Sequence, residues 1–257
     1  TVLNIGWTVG PPLGTLLVMQ SINLPFWLAA FCSAFPLVFI QLLVKRSAAA
    51  VNSENSVAWS PAVLLHDKAL FWFTLSAFLA SFVSGAFASC LSQYVMVVAD
   101  GNFAEKVVAV VLPVNAAVVV SLQYAVGRRL TPANIRPLMG FGTVCFVIGL
   151  GGFMISGNSL LLWGVSAAIF TLGEVIYAPG EYMLIDNIAP PGMKASYFSA
   201  QSLGWLGAAF NPLASGVILT SFPAWTLFIV LMVAIIVAWA LMLKGMRVRP
   251  WGQPALC

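Results

Sequence analysis

The amino-acid sequence predicts an all-α, multi-pass membrane protein built as a bundle of eight transmembrane helices. Three observations carry this. Of 257 residues, 61% are hydrophobic and only 7% charged, against roughly 25% charged in a soluble domain. Mean hydropathy is +1.00. Apolar runs of about 20 residues, the length that crosses a roughly 30 Å hydrocarbon core as helix, recur from end to end and leave no room for a soluble domain. The runs are continuous rather than alternating, which excludes a β-barrel.

Eight spans are expected, at about 1–19, 25–44, 70–96, 107–126, 137–155, 159–178, 197–220 and 225–244. Basic residues alternate between the connections. Lys45, Arg46 and Lys68, then Arg128, Arg129 and Arg136, then Lys194, then Lys244, Arg247 and Arg249 make ten of the eleven, and the intervening connections hold only Lys106. The positive-inside rule places the first set, and both chain ends, in the cytoplasm. The net charge of +4 therefore reflects topology rather than nucleic-acid binding. Thr1 falls inside an apolar helix with no initiator Met or basic leader before it, so the chain is expected to be the C-terminal part of something longer.

The first span carries Gly6, Gly10 and Gly14 on one helix face with Pro11 and Pro12 between them. Small residues at this spacing admit a close neighbouring helix, and the prolines kink or stiffen the span. A tight packing face and a gating hinge are equally compatible with this. Residues 45–68 form the longest polar connection and are read as a linker between a two-helix unit (1–44) and a six-helix unit with a short tail (69–257). His66, the only histidine, is read as a solvated interfacial residue.

Polar residues inside apolar spans face either a neighbouring helix or a water-filled cavity. The serines of the third span are read as packing. Gln93, Tyr94, Asn115 and Gln123 are bulkier to hide and are candidates to line a cavity. Cys32, Cys90, Cys145 and Cys257 are scattered without a CxxC pair, so free packing thiols are expected and no metal site or cofactor.

The sixth span holds three carboxylates in GEVIYAPGEYMLID, residues 173–186. A charged side chain near the bilayer centre costs at least about 2.5 kcal/mol, so an intramembrane acid is by default functional. Counted from Ser159, Glu174 lies about 22 Å into the span, whereas Glu181 lies beyond an expected break at Pro179-Gly180, near the cytoplasmic interface. Burial favours a neutral carboxyl and a nearby guanidinium a charged one. Glu174 is thus the candidate for proton exchange, with an acid hydrogen-bonded between helices as the alternative. Glu181 and Asp186 are candidates for a cytoplasmic latch with Arg128 and Arg129. The seventh span, around Gly204-Trp205 and Pro212-Leu213, echoes the first six helices on, as a parallel repeat would.

NIGWTVGPPLG resembles the glycine-proline motif of the fifth helix in drug/proton antiporters of the major facilitator superfamily, and the stretch from Gly173 to Trp205 resembles the junction of its tenth and eleventh helices. The resemblance covers essentially the whole chain and implies helices five to twelve of a twelve-helix fold. The signature loop between helices two and three would precede Thr1; its pseudo-repeat, YAVGRRLTPANIRPL, keeps Gly127, Arg128, Arg129 and Arg136 but has no Asp.

What the resemblance implies is secondary active, proton-coupled export of small solutes such as drugs, sugars or short peptides, by alternating access in the bacterial inner membrane. The expected partners are a small-molecule substrate, protons and the lipid bilayer, with a monomer at full length. One alternative is that the chain is a truncated form that transports nothing. A membrane-embedded enzyme is the weaker alternative, because the sequence has a single His, no GxSxG elbow and no HExxH pair.

Overall fold

The computed structural model describes residues 13, 14, 17, 18, 20–47, 66–190 and 192–248. Gly6, Gly10, Pro11, Pro12, most of the expected linker (48–65) and the tail from Arg249 to Cys257 lie outside the described residues. The chain divides into two compact units, Thr1–Ala58 and Trp59–Cys257.

In the first unit, α1 (Leu24–Ser47) is apolar along its length with Pro36 inside it. At about 1.5 Å per residue its 24 residues suffice to cross a bilayer. Around Gly14, a Cβ would meet nothing within 4 Å.

The second unit contains α2 (Lys68–Ser89), α3 (Leu91–Val98), α4 (Gly101–Arg129), α5 (Ile135–Ile155), α6 (Leu160–Ile188), α7 (Lys194–Gln201), a 3-10 turn (Ser202–Trp205), α8 (Leu206–Ser221) and α9 (Thr226–Val248). Every regular element among the described residues is helical. Among the described residues of both units, seven segments are long and apolar enough to cross a membrane, counting Lys194–Ser221 as one.

Helix starts are set by short acceptors that satisfy orphan backbone donors. Asp67 accepts from the amides of Ala69 (2.9 Å) and Leu70 (3.2 Å), Asp100 from Phe103 (2.7 Å) and Ser159 from Leu162 (3.3 Å). Asp67 also receives the Tyr197 hydroxyl at 2.7 Å, which ties α7 to the start of α2.

The core runs along α6, which packs against α4 and α5, while α2 packs against α8 and α9. Its centre is aromatic. Phe146 and Phe170 meet edge-on at 4.9 Å, Phe153 stacks on Trp163 at 5.5 Å and Phe87 on Phe170 at 5.1 Å. Helices approach closely where a side chain is missing. A Cβ on Gly207 would overlap the Phe78 carbonyl oxygen, and one on Gly149 would stand 2.7 Å from the Phe170 backbone nitrogen.

Two expected boundaries differ. The break at Pro179-Gly180 is absent: α6 runs unbroken to Ile188 with Pro179 inside it. Proline costs one backbone bond, which a packed membrane helix tolerates. Gly180 seats the helix against Met139, whose sulfur a Cβ would strike. Conversely, the expected single span over 70–96 is interrupted at Cys90, where φ is −116° and ψ −13°.

Candidate functional site

Glu174 sits mid-way along α6 and is half-buried. Its carboxylate accepts a hydrogen bond from the Asn115 Nδ2 of α4 at 2.7 Å. The same amide donates to Thr171 Oγ1 at 2.9 Å, and Thr171, fully buried, donates on to the Ala167 carbonyl at 2.7 Å. Thr171 precedes Glu174 by three residues and so shares its face. Asn115 follows Pro113, whose ring removes a backbone donor from α4 at that level. The site is a carboxylate held inside a membrane span by a neutral amide. Among the described residues no cation forms an ion pair with it.

Glu181 lies on the same unbroken helix. Seven residues are about 700° of rotation and about 10 Å of rise, so the two acids share a face. Glu181 is half-buried. One turn before it, Tyr177 is buried and shares a 2.6 Å hydrogen bond with Thr143 of α5.

Asp186 pairs with Lys194 at 2.5 Å across the α6–α7 turn, both side chains about half exposed. Arg128 and Arg129 end α4 and are exposed. The Arg128 guanidinium lies over the Tyr124 ring at 5.6 Å, and the Arg129 carbonyl accepts from Asn134 at 2.7 Å. No ion pair joins either arginine to Glu181 or Asp186 among the described residues.

The four polar residues expected at a cavity fall in three settings. Asn115 is half-buried against Glu174, and Gln123 is half-buried two turns further along α4. Gln93 is exposed on α3. Tyr94 is 6% exposed, in the aromatic core, edge-on to Phe228 at 4.5 Å and near Trp163 at 6.3 Å. Of the glycine-proline motif only Gly14 is described.

Sequence reasoning did not single out Thr171, Tyr177 or Asn211. Thr171 was signalled by its spacing from Glu174. Asn211, 0% exposed, was signalled only by being a large amide in the middle of an apolar span.

Comparison with known proteins places these helices in a family. The profile of the Major Facilitator Superfamily matches residues 1–210. The MFS-type transporter YdeE of Escherichia coli (strain K12) is 77% identical over 257 residues, covering 100% of this chain and 65% of that protein. The MFS-type transporters YqjV and YhjO of Bacillus subtilis (strain 168) are 28% and 26% identical, over 86% and 92% of this chain and 55% and 58% of their own lengths. The chain thus spans between 55% and 65% of the length of these relatives. No solved structure matches it. It is a multi-pass, all-helical membrane protein, and it belongs to the major facilitator superfamily of transporters.

Proposed function

We propose that this chain is part of a secondary active transporter of the bacterial inner membrane that exports small solutes in exchange for protons, by alternating access. In this reading residues 1–44 end the N-terminal half, 45–68 form a cytoplasmic linker, and 69–257 are the C-terminal half, with both chain ends in the cytoplasm. The observation that supports it is the Glu174–Asn115 contact at 2.7 Å. An acid inside a span with a neutral hydrogen-bond partner meets the needs of a group that loads and releases a proton in each cycle.

The test is flux into proteoliposomes under an imposed pH gradient, using a lipophilic dye, a sugar and a dipeptide as probes. Uptake of at least one that collapses on adding a protonophore is the expected result; no gradient-dependent movement of any would overturn proton coupling. A second reading is that the 257-residue chain by itself moves nothing, which its coverage of 65% of the E. coli relative favours. Flux by this chain beside a twelve-helix version separates the two.

The inner end of the bundle supplies the second element of the proposal. Glu181 or Asp186 pairs with Arg128 or Arg129 in one of the two transport states and biases the equilibrium between them. An exposed pair is worth only about 0 to 1 kcal/mol, which is enough to shift a balanced two-state equilibrium up to about fivefold. Reversing the charge of Arg129 or of Glu181 alone is expected to lower the transport rate, and reversing both together to restore it. Absence of rescue in the double variant would count against direct pairing.

A further inference from the structure

The helices α2, α5 and α9 carry no acidic residue, and their basic residues all lie toward one end: Lys68 and Arg136 in the first turns of α2 and α5, Lys244 and Arg247 in the last turns of α9. It is the same end, because α9 runs antiparallel to both neighbours. The Ala238 carbonyl accepts from Ser76 Oγ of α2 at 2.7 Å, and further along α9 a Cβ on Gly245 would stand 2.6 Å from the Phe73 ring. Toward α5, a Cβ on Gly140 would stand 3.4 Å from the Trp239 ring and one on Gly151 3.7 Å from the Met232 methyl.

The side these cations occupy follows from helical spacing. On α9, Val233, Ala240, Lys244 and Arg247 recur at seven, four and three residues, so they share a face, and all four are exposed. Arg136 is exposed one turn before Gly140, on the side of α5 that meets α9. Lys68 is exposed one turn before Trp72, and the Lys244 ammonium lies 3.8 Å from the centroid of the Trp72 ring. Deeper in the span the same surface is apolar, with Val144 and Ile148 of α5 and Val233, Ile236 and Val237 of α9 exposed.

No carboxylate answers these charges. Among the described residues the one ion pair is Lys194 with Asp186. Asp67, next to Lys68 in sequence, accepts from the amides of Ala69 and Leu70 and from the Tyr197 hydroxyl. The Trp72 ring attracts the Lys244 ammonium without neutralising it. Topology accounts for the end of the helices that the cations occupy, and would be met equally by any face.

We infer that the outer surface of α2, α5 and α9 binds an anionic phospholipid, its phosphate among Arg136, Lys244 and Arg247 and its acyl chains along α5 and α9. Charge and apolarity together select this occupant. A soluble anion would use the cations and leave the apolar surface uncovered, whereas a negative headgroup on hydrocarbon tails uses both. Basic side chains at a span's end extend toward headgroups, basic pockets between spanning helices hold phospholipid heads, and a guanidinium takes two phosphate oxygens at once.

The full chain is purified in neutral detergent, and binding of dioleoyl-phosphatidylglycerol and dioleoyl-phosphatidylethanolamine is titrated by native mass spectrometry. The two lipids share their tails and phosphodiester and differ in net charge. The first phosphatidylglycerol is expected to bind at least tenfold more tightly. Arg136→Gln with Arg247→Gln is expected to weaken it at least fivefold, and adding Lys244→Gln to abolish the preference. Arg136→Lys with Arg247→Lys keeps the charge and is expected to retain most of the affinity. Arg128→Gln with Arg129→Gln removes the same charge from α4 and is expected to leave lipid binding unchanged. Equal affinity for the two lipids overturns the inference, and so does an equal loss in the α4 pair, since net charge alone would then be the cause. Displacement by inorganic phosphate would assign the cations to a soluble anion, and absence of binding in a twelve-helix version would mean that other helices cover this surface. Either result overturns it too.

Discussion

Replacing Glu174 by Gln is expected to reduce proton-coupled flux to background in a full-length version of the protein while leaving membrane insertion and folding intact. The substitution is nearly isosteric, and an amide oxygen at the same place still accepts from Asn115 Nδ2, now 2.7 Å from the carboxylate. The α4–α6 contact and the Thr171 bond to it survive. What is lost is the capacity to take up and release a proton. Folding is therefore separated from coupling within one variant. Solute exchange that needs no net proton movement is expected to persist, because the side chain keeps its size and its bond to Asn115. Undiminished gradient-driven transport would sink the assignment of Glu174 and leave it as an acid held between helices.

The largest effect on stability is expected at Gly207. A methyl group there would stand 1.9 Å from the Phe78 carbonyl oxygen and 2.9 Å from the Phe82 backbone nitrogen. Overpacking typically costs about 1 to 3 kcal/mol when side chains can yield. Here both obstacles are main chain of α2, so Gly207→Ala is expected at or above the upper end of that range. Thermal unfolding of the detergent-solubilised protein, with the yield of monodisperse material, measures it. Gly216→Ala is the matched control on the same helix, since a Cβ there meets nothing within 4 Å. It is expected to be neutral or slightly stabilising, because Ala is favoured over Gly in a helix by roughly 1 kcal/mol. Equal stability of the two variants would mean that α2 and α8 re-space freely, which the Asn211 contact to Phe82 makes difficult.

The helical class and seven of the eight expected spans were legible because hydropathy is a property of consecutive residues; the other, over 1–19, lies largely outside the described residues. That Glu174 falls inside a long apolar helix was legible for the same reason, and a carboxylate in hydrocarbon is costly wherever it points. Its partner was only half legible. Asn115 stands 59 positions away, and nothing along either span says which faces meet. Tyr94 shows the same limit from the other side. Its hydroxyl marks it as polar, but its ring is packed among Phe228 and Trp163, and rings are placed by their neighbours. Asp186 was assigned distant arginines, while Lys194, one turn away in space, takes the pair in this structure. Asn211 lay unnoticed inside a span whose Pro212-Leu213 echo drew attention to the repeat rather than to the amide.

The unbroken course of α6 through Pro179 has a mechanical consequence. From Glu174 to Asp186 the helix extends about 18 Å without a joint, so the two carboxylates are points on one rod. A tilt that alters what surrounds Glu174 must also displace Asp186, and with it the Lys194 end of α7. Had the chain parted at Gly180, the inner end would have been at liberty to move alone. As it stands, α6 is a lever whose load and handle are both acidic.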